Sequence, residues 1–446
     1  MTYQKKPRLP RWVGVSILLA GVASVSAVAG AFLAVSLGST PLLQSELSPE
    51  DAAVFSQDEI ATANSLQLPR LTRPVNVLLL GVKVLSSDVE DYETIDREGY
   101  DALVNSFEGL SDTMLMMRFA PRSERIAVMS IPRDTRTNVN GVVTKINEAN
   151  REGGPALTAQ AVSELMNGVA VDRYVRINVQ GVEKLIDAIG GVEVNVPKDM
   201  KYQDDSQHLY INLKAGEQRL NGDQAMQFLR FRYDENGDIG RVQRQQILMR
   251  ALVEQALNPA TIARLPKILS VIQSNVDTNL SVEELVALVG YGAQAKRSDV
   301  QMLMLPGSFS SYEDYELSYW LPNYSEIDLL AEQYFGHANT YSISEQADPS
   351  SLRVAIQDST DDNVAVQSLI NSLYDTGYFN VFVDGSWHDP LVETRIVAQR
   401  GDIKSAEAIR DFLGVGEVRV ESTGSLESDI TIQLGQDWLD EHGSAL

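Results

Sequence analysis

The chain has 446 residues and a formal net charge of −24, from 61 acidic residues against 37 Lys and Arg. That length predicts two or three domains, and a hydrophobic content of 44% excludes wholesale disorder. With no cysteine and only four scattered histidines, disulfides, thiolate nucleophiles, iron–sulfur clusters and a local Cys- or His-type metal site are excluded. A surface this acidic repels a phosphate backbone, so no nucleic-acid partner is expected.

The charge is uneven along the chain. Residues 1–11 carry Lys5, Lys6, Arg8 and Arg11 and no acid, the mark of a cytoplasmic basic tail. From Trp12 to Ser45 no residue is charged, and residues 12–38 read as one transmembrane helix. Its apolar heart, Val13–Gly38, is roughly 39 Å long at about 1.5 Å per residue, enough to cross a bilayer core. The flanking bases place the N-terminus in the cytoplasm, on the inner side of the cytoplasmic membrane, and everything after Gly38 outside. A cleaved signal peptide competes, because Ala27-Val28-Ala29 resembles a small-residue cleavage site; the apolar run continues past it, which favours a retained anchor.

Residues 39–72 read as a polar stalk. Val75–Gly81 has the composition of a strand, and residues 84–108, with eight acids and one Arg, interrupt the pattern as a surface insertion or lid. Thr113–Phe119 and Arg125–Ile131 are nearly continuous apolar runs, as in strands covered on both faces. Helix and strand signals then alternate: a helix at Pro155–Asn167, a strand at Arg173–Val179, a helix at Val182–Ile189 ended by Gly190-Gly191, and a strand at Val192–Val196. Further helices are expected at Asn221–Leu229, Arg241–Leu257, Ala260–Gln273 and Val282–Ala295, and a strand at Val300–Leu305. Residues 73–338 thus predict a layered α/β domain, a sheet flanked by helices. Residues 339–350 read as a linker. Strand and helix signals from Leu352 to Leu434 predict a smaller C-terminal α/β domain over 351–440, strongly acidic throughout.

Against this acidic background, bases gather in two places. The first is Ile131-Pro132-Arg133-Asp134-Thr135-Arg136, followed by Lys145. Pro132 keeps Ile131 extended, so Arg133 emerges from the carboxyl end of a strand, where α/β sheets bind ligands. A plainer reading is a solvated loop with ordinary Arg–Asp pairing. The second is Arg230-Phe231-Arg232 with Arg241, Arg244 and Gln245, the last three sharing one face at an expected helix start. Guanidinium forks suit phosphate oxygens; the same face can equally pair with Asp234, Glu235 and Asp238. Asp112, in Ser111-Asp112-Thr113, is suited either to a hard divalent cation or to an arginine.

Together these stretches resemble the LytR-CpsA-Psr (LCP) family. The resemblance rests on Val75–Gly81, Leu110–Thr113, Ser130–Arg136, Thr144–Ala149, Gly153-Gly154-Pro155, Ile189–Val194, Leu220–Ala225, Leu229–Arg232 and Gly240–Gln245, in order. It extends loosely to about residue 338, and residues 351–438 resemble the LytR-type C-terminal domain often appended to the family. The resemblance implies a membrane-anchored phosphotransferase with the LCP fold, its lipid held in an apolar tunnel. Such a protein moves a glycan from a polyprenyl-pyrophosphate carrier onto peptidoglycan through a phosphodiester. By position it implies Arg133, Arg136, Lys145, Arg230, Arg232, Arg241 and Gln245 as pyrophosphate-binding residues and Asp112 as a magnesium ligand, with Arg133, Asp112 and Arg241 carrying catalysis.

Two positions depart from the family. Its first strand usually ends in Gly-x-Asp, whose Asp also holds the magnesium; here Gly81-Val82-Lys83 stands there. Leu110 replaces a frequent Arg before Ser-Asp-Thr. A lysine repels a dication and attracts a diphosphate, so Lys83 is read as a pyrophosphate-binding residue that in part replaces the metal. The competing source of a second carboxylate is Asp88 or Asp91 of the insertion. A lipid-pyrophosphate hydrolase, a non-catalytic lipid-glycan binder and a transcription attenuator remain as alternatives; the expected topology, which keeps both domains away from DNA, opposes the last.

Overall fold

The computed structural model describes residues 42–62, 69–83, 107–204, 209–231, 237–256, 258–262, 264–296, 299–311, 315, 317–336, 348–387, 390–399, 401–420, 424–425 and 427–442. The expected basic tail and membrane helix, the insertion residues Asp88 and Asp91, and Arg232 lie outside them. Among the described residues no helix is long and apolar enough to cross a membrane.

The first domain is built on strands β1 (Val75–Lys83), β2 (Leu110–Ala120) and β3 (Arg125–Ile131), followed by a short hairpin, β4 (Arg136–Val139) and β5 (Val142–Lys145). Then come α1 (Glu148–Leu165), β6 (Arg173–Asn178), α2 (Val179–Ile189), β7 (Val192–Val196), β8 (Gly216–Leu220), α3 (Gly222–Arg230), α4 (Gly237–Ala256) and α5 (Leu265–Asn275). The domain closes with β9 (Val276–Thr278), α6 (Val282–Gly292), β10 (Val300–Met304), β11 (Gly307–Phe309), β12 (Trp320–Pro322) and α7 (Tyr324–Phe335). Capping follows the local sequence. Asn221 and Ser281 each head a reciprocal capping box, at α3 and α6, and Gly190 ends α2 in the left-handed conformation that a Cβ disfavours.

The main sheet has the order β9-β6-β1-β2-β3-β10. Strands β6, β1, β3 and β10 run the same way, while β2 and β9 oppose them. The carboxyl ends of four strands therefore meet the amino end of β2 at one edge. One face packs Leu78, Leu80, Met114, Met116, Met129 and Ile131 against α1 and α7. The other packs Val77, Leu115 and Val128 against α2 to α6. Coverage on both faces is why these strands are near-continuous apolar runs.

Part of the segment read as a stalk is built into this domain: Phe55 is 3% exposed and Ile60 fully buried. Leu43 bridges to Asp277, the Ser45 backbone N–H donates to Asp277 Oδ1 (2.6 Å), and Arg176 Nη2 donates to Ser45 Oγ (2.6 Å).

The second domain comprises β13 (Arg353–Asp358), α8 (Asn363–Asp375), β14 (Asn380–Ser386), β15 (Arg395–Ala398), α9 (Ile403–Leu413), β16 (Glu417–Arg419), β17 (Ile430–Leu434) and α10 (Gln436–His442). Its sheet order is β14-β13-β17-β15-β16. Its core, including Val354, Ile396 and Ile432, is continuous with the α7 side of the first domain. The Met302 N–H of β10 donates to the Val420 carbonyl (2.8 Å), so the second domain covers the edge of the main sheet.

Candidate functional site

The site forms where β1, β2 and β3 meet at the carboxyl edge. Gly81 pairs with Thr113 and Val82 with Ser111, which leaves Asp112 as the extra residue of a bulge. A bulge re-aims the side chain it carries. At β3 the chain leaves through Pro132, and both the N–H and the hydroxyl of Thr135 donate to the Pro132 carbonyl (3.0 and 2.6 Å). Arg133 and Asp134 therefore occupy the tip of a tight turn. A backbone ladder fixes that turn to its neighbours: Ile146 N–H to Thr135 carbonyl (2.9 Å), Asn147 N–H to Arg133 carbonyl (3.3 Å) and Ser111 N–H to Asn147 carbonyl (3.2 Å). Asn150 Nδ2 donates to the carbonyls of Phe107 and Gly109 (3.0 and 2.7 Å), setting the approach to β2.

Four of the expected residues converge here. Arg133 Nη1 donates to Asp112 Oδ1 at 2.7 Å, and Arg133 Nε lies 3.5 Å from Asp134 Oδ2. Lys145 Nζ donates to Asp134 Oδ1 at 2.7 Å. Arg136 and Lys145 are direct cross-strand partners in the β4–β5 hairpin. Like charges directly opposite are unfavourable, and two devices relieve them. Asp134 neutralises Lys145, and each cation lies over a ring: Arg136 Cζ 5.6 Å from Tyr315 and Lys145 Nζ 5.7 Å from Tyr319. Arg133, Asp134, Lys145 and Asp112 keep between 22% and 30% of their side-chain surface exposed, so the cluster is open to a ligand.

The second group is placed differently. Arg230 is the last residue of α3, and burial lowers its pKa, opposed by the charges of Glu183 and Asp223. Helix α4 already runs at Gly237, four residues before Arg241, so Arg241 stands in its second turn and not at a helix start. Arg244 is 4% exposed; its Nη2 donates to the Phe231 carbonyl (2.6 Å) and its guanidinium lies 5.8 Å from the Phe231 ring. It fastens α4 to the end of α3. Gln245, one residue on, is half-buried. Lys83 and Arg241 are placed by their backbone, Lys83 opposite Leu110 at the end of β1. Among the described residues no hydrogen bond, ion pair or ring contact joins Arg230 to the Arg133 cluster.

The residues present fit magnesium in one way only. Among the described residues no three His, Asp or Glu side chains converge on a point. Asp112 is a carboxylate with one oxygen on Arg133. Mg²⁺ is commonly held by one carboxylate together with ligand phosphates and water, and Asp112 suits that arrangement.

Sequence reasoning missed three parts of the site. The hairpin carrying Arg136 and Lys145 was signalled by Asn140-Gly141, both at positive φ (50° and 84°), the pair that a type I′ turn demands. Arg–Asp pairing in this loop is one of the readings of the sequence and is found between Arg133 and Asp134, but the bond from Lys145 to the same carboxylate had no local signal. The rings of Tyr315 and Tyr319 had no local signal. They arrive through β12, whose Trp320 N–H donates to the Asp134 carbonyl (2.9 Å).

Comparison with known proteins agrees with this architecture. Residues 44–335 match the LytR_cpsA_psr family, and residues 351–438 match a domain described as LytR cell envelope-related transcriptional attenuator. The chain is 31% identical over 345 residues to polyisoprenyl-teichoic acid–peptidoglycan teichoic acid transferase TagU of Oceanobacillus iheyensis, covering 75% of this chain and 96% of that protein. It is 30% identical over 271 residues to the corresponding transferase TagV of Bacillus subtilis, covering 58% of this chain and 64% of that one. Protein gbs0355 of Streptococcus agalactiae shares the fold, with a TM-score of 0.50 and 23% identity over 61% of this chain and 91% of that one. The two matched segments and the TagU alignment settle the lineage: the chain belongs to the LytR-CpsA-Psr family.

Proposed function

We propose that the chain transfers a glycopolymer from a polyprenyl-pyrophosphate carrier to peptidoglycan, outside a membrane in which residues 12–38 anchor it. The observation that carries this is the cluster of Arg133, Arg136 and Lys145 around Asp112 and Asp134 at the carboxyl edge of the sheet. Three cations within one turn and one hairpin match the charge of a diphosphate better than that of a single carboxylate, and guanidinium groups bind phosphate oxygens in pairs. The relatives named for moving teichoic acid from a polyisoprenyl carrier to peptidoglycan support the substrate class.

In this reading a hydroxyl of the wall acceptor attacks the phosphorus next to the glycan. The new O–P bond forms as the bond to the bridging oxygen breaks; polyprenyl phosphate leaves with that electron pair, and the acceptor's proton passes to solvent water. Arg133 and Lys145 hold the diphosphate oxygens and stabilise the charge that grows on the leaving phosphate, work that positioned cations do without covalent chemistry. Arg136 adds charge from the facing strand. Arg230, Arg232, Arg241, Gln245 and Lys83 are assigned to the same anion by family position. Asp112 would hold a Mg²⁺ that the diphosphate brings with it, and such an ion, when bound, supplies further neutralisation.

The test is Arg133→Ala in a transfer assay with a lipid-diphosphate-linked glycan. The expected result is a loss of about 10²–10³-fold in transfer, the size seen when one charge-stabilising donor is removed, with the fold retained and the melting temperature lowered by no more than a few degrees. Undiminished transfer refutes the site. Glycan phosphate released without an acceptor indicates the hydrolase, and retention of donor without turnover the binding protein.

A further inference from the structure

The connection between β11 and β12 holds more aromatic surface than packing requires. Phe309 and Trp320 meet edge to face at 5.1 Å and 87°, with Trp320 buried and its Nε1 donating to the Leu305 carbonyl (3.2 Å). Tyr315 and Tyr319 form a second edge-to-face pair, 5.6 Å apart at 71°, but both stay half-exposed. Neither belongs to the buried core of the domain. The position of Tyr319 is nonetheless fixed. The Tyr319 N–H donates to Ser310 Oγ (2.9 Å), its carbonyl accepts from the Ser310 N–H (2.8 Å), and the next residue, Trp320, bridges to Thr135. This leaves two phenol rings at the rim of the cation cluster, one beside Arg136 and one beside Lys145.

We propose that Tyr315 and Tyr319 form a subsite for the sugar directly attached to the diphosphate. This rests on the lipid-diphosphate reading given above and adds a specificity-determining element to it. The chemistry follows from the placement. A diphosphate seated on Arg133, Arg136 and Lys145 carries its first sugar through a single bridging oxygen on the phosphorus, within reach of rings that touch two of those cations. A pyranose presents an apolar C–H face and a rim of hydroxyls. A tyrosine has the complementary build, an apolar body with a polar tip that hydrogen-bonds. Aromatic rings also order cations at little conformational cost, so the same pair holds Arg136 and Lys145 ready for the phosphates.

The competing role is purely structural, with the rings holding the two cations and touching no sugar. The two roles separate in the affinity ratio between a sugar-bearing and a sugar-free ligand. The probes are polyprenyl diphosphate alone and the same lipid bearing one glucose, galactose or N-acetylglucosamine unit, bound to the full chain in detergent. In the wild-type protein at least one sugar should strengthen binding about three- to ten-fold, the size of one or two ring contacts. In Tyr315→Ala and Tyr319→Ala that ratio should fall to about one, and Tyr319→Phe should retain much of it. An equal loss for sugar-bearing and sugar-free lipids in the alanine variants overturns the subsite in favour of the structural role. A wild-type ratio of one for all three sugars overturns it as well. Failure of the wild-type protein to bind even the sugar-free lipid defeats the lipid-diphosphate reading itself, a result distinct from both.

Discussion

Asp134 sits among the cations as their internal counter-ion, and removing it should weaken the fold while strengthening the site. Its carboxylate accepts from Lys145 at 2.7 Å and lies 3.5 Å from Arg133 Nε, with Arg136 directly across the hairpin from Lys145. Asp134→Asn keeps the volume and deletes the charge. The pairs are about three-quarters buried, between exposed pairs worth up to about 1 kcal/mol and buried ones whose disruption costs about 3–5 kcal/mol. The expected destabilisation is therefore about 1–3 kcal/mol, or roughly 2–6 °C in melting temperature for a domain of this size. In the wild-type protein an incoming diphosphate must displace this carboxylate from Lys145 and Arg133; in the variant only Asp112, on Arg133, is left to compete. Inorganic pyrophosphate should then bind the variant about 5–30-fold more tightly and recover most of the lost stability by mass action. Thermal melts with titrated pyrophosphate at constant ionic strength read both effects. Equal stability of the two proteins, or an equal pyrophosphate-induced rise in both, would refute the counter-ion argument.

Three further expectations concern the scaffold. Asp277 is fully buried and accepts from Arg176 (2.6 Å), the Ser45 N–H (2.6 Å) and the Tyr174 hydroxyl (3.3 Å), so Asp277→Ala should cost about 3–5 kcal/mol by leaving Arg176 unpaired. Urea unfolding measures it, and a cost under about 1 kcal/mol would contradict the buried-pair account. Burial, joined by the Asp277 charge at Tyr174 and opposed by the Arg125 charge at Tyr334, raises both phenols above the ordinary 10.0, so the folded protein keeps protons that the unfolded chain releases. The stability these phenols contribute is present below pH 10 and lost above it, at about 1.4 kcal/mol per pH unit for each; Tyr334→Phe should reduce that alkaline slope, and an unchanged slope would count against it. Gly401 has φ +85°, and a Cβ there would lie 2.7 Å from Leu330 Cδ2, so Gly401→Leu should cost about 2–5 kcal/mol in strain and overpacking. Calorimetry should show the wild-type protein melting in one transition and the variant in two; one transition at an unchanged temperature would rule the idea out.

Much of the scaffold was legible because its signals are local. Arg125–Ile131 and Val192–Val196 are strands with the boundaries that their apolar runs and stop residues predict. Asn221 caps its helix as its side chain suggests. What was not legible depends on partners far along the chain. Arg173 and Arg176 read as strand residues, and nothing nearby announces Glu284 and Asp277, more than 100 positions away, as their buried counter-ions. Arg244 shares a helical face with Arg241 and Gln245, but spacing cannot say that its own direction leads into the protein, onto the Phe231 carbonyl. The hairpin strands Arg136–Val139 and Val142–Lys145 are short and half polar, so no core alternation marks them; only the turn did. Strand β12 has three residues and forms by pairing with β11, and Trp320 ties it down, its backbone N–H donating to the Asp134 carbonyl and its indole Nε1 to the Leu305 carbonyl.

The second domain has the strongest claim to influence the site from a distance. Strand β10 is the edge of the main sheet, yet all five of its residues are buried. An uncovered edge invites pairing with other chains; here the Val420 carbonyl takes the Met302 N–H, and Gly401 packs against Leu330 and Tyr334 of α7, its carbonyl accepting from the Tyr334 hydroxyl (3.1 Å). Helix α7 begins two residues after β12, the strand that holds the Asp134 carbonyl, and its last residue offers a carbonyl to Arg118 Nη1 (2.8 Å) on β2. The path from Gly401 to the turn bearing Arg133 therefore runs through one helix and one three-residue strand. Loosening the contact at Gly401 should free α7 first and the Trp320 anchor next. That order gives Gly401→Leu a second readout: faster hydrogen exchange at the Trp320 amide, against unchanged exchange in β6, which lies on the far side of the sheet. Equal exchange at Trp320 in both proteins would mean that the two domains share a core without sharing control of the site.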